Sequence, residues 1–208
     1  MPKPRLDDTQ LRAILDAVAQ VVAARSASRA PLAEMARAAG VSVGTLQHYF
    51  GSRDELIAAA FRAVNATEAE QARALIAERD DPRDQLEAVL DGIVGQEAAD
   101  WLLWSEFWSS NARSSSMHDQ TSGIYEAWEE LIESVIADGA ERGVFHPVRP
   151  AAEIGHRLVT YGDGLAVQLL VRRLDYEQAR ALLTQLAAEQ LGVDPGETAA
   201  QTGRGDNR

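Results

Sequence analysis

The sequence predicts an all-α fold: a small three-helix head followed by a larger helical body. Three observations carry this. Apolar residues recur at the i, i+3, i+4 spacing of a helix in most windows, and the strict alternation of a half-buried strand does not stand out. Helix-capping residues (Asp, Ser and Gly) stand at the ends of those windows. Between Leu32 and Leu56, short helical patterns alternate with tight turns in the layout of a helix-turn-helix. The chain thus divides into a helix-turn-helix head, residues 1–52, a body, residues 53–193, and a tail, residues 194–208.

In the head, Asp7 or Asp8 caps a first helix whose Leu11, Ile14, Leu15, Val18 and Val22 form one apolar stripe. Ser26 to Arg29 breaks it, and Pro31 suits the first turn of the next helix. Small Ala36 lets the following helix cross closely, and Gly40 supplies the positive φ that ends the second. Ser42 caps the third helix. Leu46 and Tyr49 point inward from it, while Val43, Gly44, Thr45, Gln47 and His48 form its exposed face. Such a helix has the right size for a DNA major groove, so the segment reads as a DNA reader. Ser52 and Glu55 then make a reciprocal capping box for helix four. Arg53 lies in its first turn, where a cation is slightly unfavourable. That placement points to an external anion such as a backbone phosphate; a solvated surface charge is the alternative.

Helix four runs from Arg53 toward Arg79, long enough to leave the head and join the body, with Leu56, Ala60, Phe61 and Val64 inside. Asp81-Pro82 starts the next helix, which carries Leu86, Val89, Leu90, Ile93 and Val94. An aromatic-rich helix over Trp101 to Asn111 is followed by an expected loop containing Ser114, Ser115 and Ser116. A long helix through Tyr125, Trp128, Leu131, Ile132, Val135 and Ile136 ends near Gly143. Pro150 opens a helix to about Arg173, and Asp175 caps a last one ending near Gly192. The penultimate helix has two apolar stripes: Ile154, Leu158, Tyr161, Leu165 and Leu169, and Val159, Val167, Leu170 and Val171. A bundle helix needs only one. The second is either deeper core or burial against a partner, which makes a dimer through the last two helices (about 150–191) an expectation. Beyond Asp194 the sequence has no periodicity, and the tail is expected to be disordered.

The net charge of −12 is unevenly spread. Residues 1–62 carry eight Lys/Arg against six Asp/Glu, and the remainder twelve against twenty-six. The head is mildly basic and the body strongly acidic, so duplex binding should depend steeply on salt. No apolar run of about 18 residues suggests a membrane span. MPKPRLDD lacks the apolar stretch of a secretory signal and the chain has no cysteine, in keeping with a cytoplasmic protein.

Trp101, Trp104, Phe107 and Trp108 recur at helical spacing, and Tyr125, Trp128 and Tyr161 follow on later helices. Aromatics this concentrated in an aromatic-poor chain suggest a ligand cavity, with an aromatic core as the alternative. Glu97, Asp100 and Glu106 lie near them and could hold a cationic ligand beside aromatic faces, or could face solvent. His118, His146 and His156 show no metal-ligand spacing. Ser114–Ser116 lack a nucleophile elbow, and neither a P-loop nor a dinucleotide fingerprint occurs. No catalytic residue, metal or cofactor is therefore expected, and an enzyme is remote.

The stretch MARAAGVSVGTLQHYFGSRDEL closely resembles the DNA-binding segment of TetR-family regulators, typically IA-x-x-AGVS-x-GTLY-x-YF-x-SK-x-x-L. The body, through WSEFW, GVFHP and YGDGLAVQLL, looks like the branch containing the choline-responsive BetI repressors. The resemblance implies base-facing roles for Val43, Gly44, Thr45, Gln47 and His48, with Ser42 as the cap, and backbone-phosphate roles for Tyr49 and Arg53. It also implies a homodimer on a palindromic operator in double-stranded DNA, released by a small-molecule effector. Two departures stand out: Gln47 replaces the usual tyrosine, and Pro31 stands where many members have a serine or threonine. A ligand-binding or interaction module without DNA binding is the alternative.

Overall fold

Local chemistry sets the helix ends. The computed structural model describes residues 6–95, 98–121 and 123–194, and among these it contains ten helices and no strand. They are α1 (Asp8–Arg25), α2 (Leu32–Ala38), α3 (Val43–Phe50), α4 (Arg53–Ala77) and α5 (Pro82–Val94), then α6 (Ala98–Arg113), α7 (Ser115–Thr121), α8 (Ile124–Glu141), α9 (Ala151–Leu170) and α10 (Tyr176–Leu191). Asp7 and Asp175 cap α1 and α10 in reciprocal boxes with Gln10 and Gln178, each satisfying an amide that the helix leaves unpaired. Asp81 caps α5, whose first residue is Pro82. Gly143 and Gly192, at φ of 68° and 63°, follow α8 and α10. The expected tail disorder concerns residues 195–208, which lie outside those described.

The serine run departs from expectation. Only Ser114 lies between helices, and Ser115 and Ser116 open α7. The Met117 amide donates to Ser114 Oγ at 3.2 Å, so the hydroxyl acts as a helix cap, and Met117 is buried. A polar run taken for a loop is thus a cap and the turn it starts.

The chain packs as two units, one of residues to Thr67 with Ala99–Ile124, the other of Glu68–Ala98 with residues from Tyr125 onward. Packing therefore divides α4 at Thr67, downstream of residue 52, and assigns α6 and α7 to the first unit. Within that unit Leu56, Ile57, Ala58, Ala60 and Phe61 are buried, and the Phe61 ring meets Phe107 of α6 edge-on at 5.5 Å. In the second unit, Leu86, Val89 and Leu90 of α5 pack with Ile132 and Ile136 of α8, Ile154 and Leu158 of α9, and Leu183 of α10. Gly155 allows α9 to approach α8, since a Cβ there would lie 3.2 Å from the Glu129 carbonyl; at Gly162 it would collide with Ile93. These contacts offset the roughly 1 kcal/mol that a helix-interior glycine costs.

The two stripes of α9 are redistributed. Its inner face is Ile154, Leu158, Val159, Leu165 and Ala166, with Gly155 and Gly162 between them. Tyr161, placed by periodicity on an inward stripe, is 38% exposed, and Val167 and Val171 are exposed as well. The glycines explain the shift, because α9 packs along its small residues and Tyr161 is displaced from that contact.

Candidate nucleic-acid interface

The turn between α2 and α3 is held by backbone and cap. Gly40 adopts φ +66° with open space around it, so conformation rather than room requires glycine there. The Val41 amide donates to the Ala36 carbonyl at 2.9 Å, and the Thr45 amide donates to Ser42 Oγ at 3.0 Å. The hydroxyls of Ser42 and Thr45 lie 2.8 Å apart. Met35, Ala36 and Leu46 are buried and lock the two helices together.

On α3 itself, only Leu46 is buried. Gly44, Gln47 and His48 are exposed and share one face at i, i+3, i+4 spacing, while Val43, Thr45 and Tyr49 are half-buried. A Cβ on Gly44 would meet nothing nearer than Ser42 Oγ at 3.8 Å. Nothing inside the protein demands glycine at that position; its effect is to leave the helix surface open to close external approach. Tyr49, read as inward-pointing, is half-buried, and its hydroxyl accepts from the Leu6 amide at 2.8 Å, which leaves its own proton to donate elsewhere.

Arg53 is neither a free surface charge nor simply outward-facing. Its Nε and Nη2 donate to the Ala30 carbonyl at 3.1 and 3.0 Å, Nη2 also donates to the Ala27 carbonyl, and Nη1 lies 3.5 Å from Asp54. The residue thus fastens the α1–α2 turn to the start of α4. Beside it, the Ser52 amide donates to Glu55 at 2.6 Å and the Glu55 amide to Ser52 Oγ at 3.1 Å, the expected capping box. Hydrogen bonding from Ser52, its backbone first, holds the Glu55 carboxyl below its ordinary value.

The seven candidate ligand-lining aromatics fall in both packing units. In the first, Trp101 and Phe107 are buried and Trp104 and Trp108 half-buried. Trp104 meets Phe107 edge-on at 5.2 Å and Trp108 at a tilt at 6.3 Å. In the second, Trp128 is buried above Gly92, where a Cβ would lie 3.0 Å from its ring. The Tyr125 hydroxyl donates to Asp163 Oδ2 at 2.9 Å. Tyr161 borders an open groove of about 580 Å³ on the outer side of α9 and α10, with Gly164, Leu165, Leu174, Leu182 and Leu186.

Of the acidic residues near Trp101–Trp108, Glu106 accepts from the Ala27 amide and the Ser26 hydroxyl, at 2.7 and 3.0 Å. Glu97 and the Asp100 side chain lie outside the described residues.

Two polar groups escaped the sequence reading. Asn65 of α4 is 5% exposed and its side-chain nitrogen has no hydrogen-bond partner. Burial pushes the Asp163 carboxyl above its ordinary value, with the Tyr125 hydrogen bond working the other way. The only hint in the sequence was an aspartate between two glycines, Gly162 and Gly164, in the C-terminal half of α9. Among the described residues no group of three His, Cys, Asp or Glu could hold a metal ion, and no helix is long and apolar enough to cross a membrane.

A short helix with an exposed face, held by one buried residue against a tight turn after another short helix, has the geometry of the second helix of a helix-turn-helix. Family comparison agrees. Residues 14–60 match the model of bacterial regulatory proteins of the tetR family, and residues 82–192 match the C-terminal domain of BetI-type transcriptional repressors. The chain belongs to the TetR family of transcriptional regulators, with a BetI-type C-terminal domain.

Its relatives include the HTH-type transcriptional regulator BetI of Stenotrophomonas maltophilia, 27% identical over 88% of this chain and 93% of that protein. BetI of Cronobacter sakazakii is 29% identical over 95% and 98%. A TetR-family regulator from Rhodococcus sp. shares the fold at a TM-score of 0.77 and 24% identity, over 89% of this chain and all of that one. So does a transcriptional regulator from Saccharomonospora viridis, crystallised in complex with choline, at 0.75 and 23% over 88% and 97%.

Proposed function

We propose that the chain binds a palindromic operator as a homodimer, with a helix-turn-helix head of residues 1–52 and an effector-binding and dimerisation body of residues 53–193, and that a small-molecule effector releases it. The observation that carries this is the bare face of α3, where Gly44, Gln47 and His48 stand exposed while Leu46 is buried. In the duplex, Gln47 pairs with an adenine edge, Gly44 lets the helix approach the base pairs, and Val43, Thr45 and His48 contact neighbouring bases. Ser42 caps α3 facing the duplex. Tyr49 donates its free hydroxyl proton to a phosphate, and Arg53 brings positive charge to the backbone beside it.

Pairing occurs through α9 and α10. In support, Tyr161, Val167, Val171 and Leu182 are exposed there, and Gly164 has open space above it. Two α3 helices must then reach successive major grooves, about 34–36 Å apart. The effector is a small cation held against the aromatic cluster of the first unit, Trp101, Trp104, Phe107 and Trp108. The unpartnered Asn65 nitrogen supports a ligand that also carries an acceptor oxygen. Choline meets both conditions and is the compound to test first. The protein acts in the cytoplasm and performs no catalysis.

The test is a titration of the DNA upstream of the gene, followed by fluorescence anisotropy with and without choline. Tight, salt-sensitive binding by a dimer that choline weakens is expected. Failure to bind any duplex above non-specific level would remove the reading, and binding indifferent to choline would remove only the choice of effector.

A further inference from the structure

The turn between α1 and α2 is gripped from two sides by charged side chains of different helices. Glu106 of α6 takes the Ala27 amide at 2.7 Å and the Ser26 hydroxyl at 3.0 Å. Arg53 of α4 takes the carbonyls of Ala27 and Ala30. The two ends of the Ala27 residue are therefore held by a carboxylate and a guanidinium, in a turn where Ala27 and Ala30 are 4% and 1% exposed. Ser26 adopts φ +75°, a conformation rare for a residue with a Cβ, which persists only where surrounding contacts hold it. Arg53 follows the end of α3 after Gly51 and Ser52 alone. The neighbours of Glu106 on α6, Trp104 and Phe107, belong to the aromatic cluster that also takes in Phe61 of α4.

We infer that Glu106 is a positioning residue for DNA reading: its carboxylate fixes the α1–α2 turn, and through Arg53 the presentation of α3, so that the setting of α6 is felt at the reading helix. The inference rests on α3 being that helix. Hydrogen bonds of this kind lapse within a few tenths of an ångström beyond 3.2 Å, so a small slide of α6 suffices to release the turn. Loss of the carboxylate would leave the Ala27 amide buried without an acceptor. A glutamine in its place keeps an acceptor oxygen for both donors while removing the charge.

The two substitutions separate positioning from electrostatics. Removing an acidic group from a DNA-binding protein lessens repulsion from phosphate, so charge alone predicts tighter binding for both variants. The clamp predicts opposite results. Full-length protein is titrated with a duplex that the unaltered protein has selected from a randomised pool, and backbone hydrogen exchange is followed in parallel. Glu106→Ala should bind about tenfold more weakly with an unchanged salt slope, and exchange faster in α2 and α3 but not in α9 and α10. Glu106→Gln should stay within about twofold of the unaltered protein.

Equal or tighter binding by Glu106→Ala, or equal weakening by both variants, overturns the inference. If Glu106→Ala does not fold, Ser26→Ala removes one of the two bonds and should weaken binding about threefold; no change overturns it equally. Should the unaltered chain select no duplex, the DNA-reading role of α3 falls and this inference with it. Unchanged α3 exchange in a chain that does select one sinks the clamp alone.

Discussion

Gln47 is exposed, shares a face with Gly44 and His48, and occupies a position where family resemblance would put a tyrosine. A side-chain amide can engage adenine N6 and N7 together, worth about 1–3 kcal/mol against the wrong base. Gln47→Ala should therefore erase roughly tenfold or more of discrimination at one position of each half-site, measured by competition among single-base variants. Equal weakening on all sequences would show that Gln47 contacts no base. Asn65 tests the other ligand. Its buried nitrogen lacks a partner, and such a group costs about 1–3 kcal/mol when left unsatisfied. Asn65→Leu should raise the melting stability of the ligand-free protein by about 1 kcal/mol while weakening the effector response. Lower stability with an intact response would place Asn65 outside the effector site.

The helices differ in how much of them could be read in advance. Capping is local, so Ser42, Asp81 and Asp175 were visible as starts from spacing, while two adjacent aspartates left the start of α1 open until Asp7 proved to be the cap. Ser114 escaped because a serine run reads equally as a loop. The inner face of α9 was misassigned at Tyr161 because both of its faces are apolar, and only the contacts of Gly155 and Gly162 decide between them. Glu106 and Asp163 could not be identified from spacing, since their partners Ala27 and Tyr125 stand far away in sequence.

The Asp163 carboxyl is raised above its ordinary value, so the folded protein holds that proton more tightly than the unfolded chain. Its contribution is fully favourable below 3.8 and is lost as pH rises through the raised value. Asp163→Asn, which can still accept from Tyr125, should therefore melt higher than the unaltered protein at neutral pH, with the gain fading as pH falls toward 3.8. A constant gain across that range would contradict burial of the charge as its cause. On α10, Leu182 is 37% exposed beside Tyr161 and Leu186. Leu182→Arg should shift the protein toward monomer in sedimentation, weaken operator binding, and make melting lower and more dependent on protein concentration. A dimer of unaltered affinity would move the interface elsewhere.

For the whole molecule, the charge division and the exposed α3 face point the same way: a mildly basic head suits the proposed DNA contacts, and an acidic body gains nothing from lying on the duplex. Packing qualifies that division. The first unit includes α6 and α7, so the reading helix shares its unit with an aromatic helix that sequence order alone assigns to the body. Two copies of α3 on one face of a duplex require a fixed spacing, which selection from a randomised DNA pool by the full-length protein measures. An inverted repeat should be enriched, with half-site centres about 10 base pairs apart or a multiple of one turn, and with a position in each half-site that Gln47→Ala relaxes. Enrichment of a single half-site, of a direct repeat, or of no sequence at all would contradict paired reading by α3.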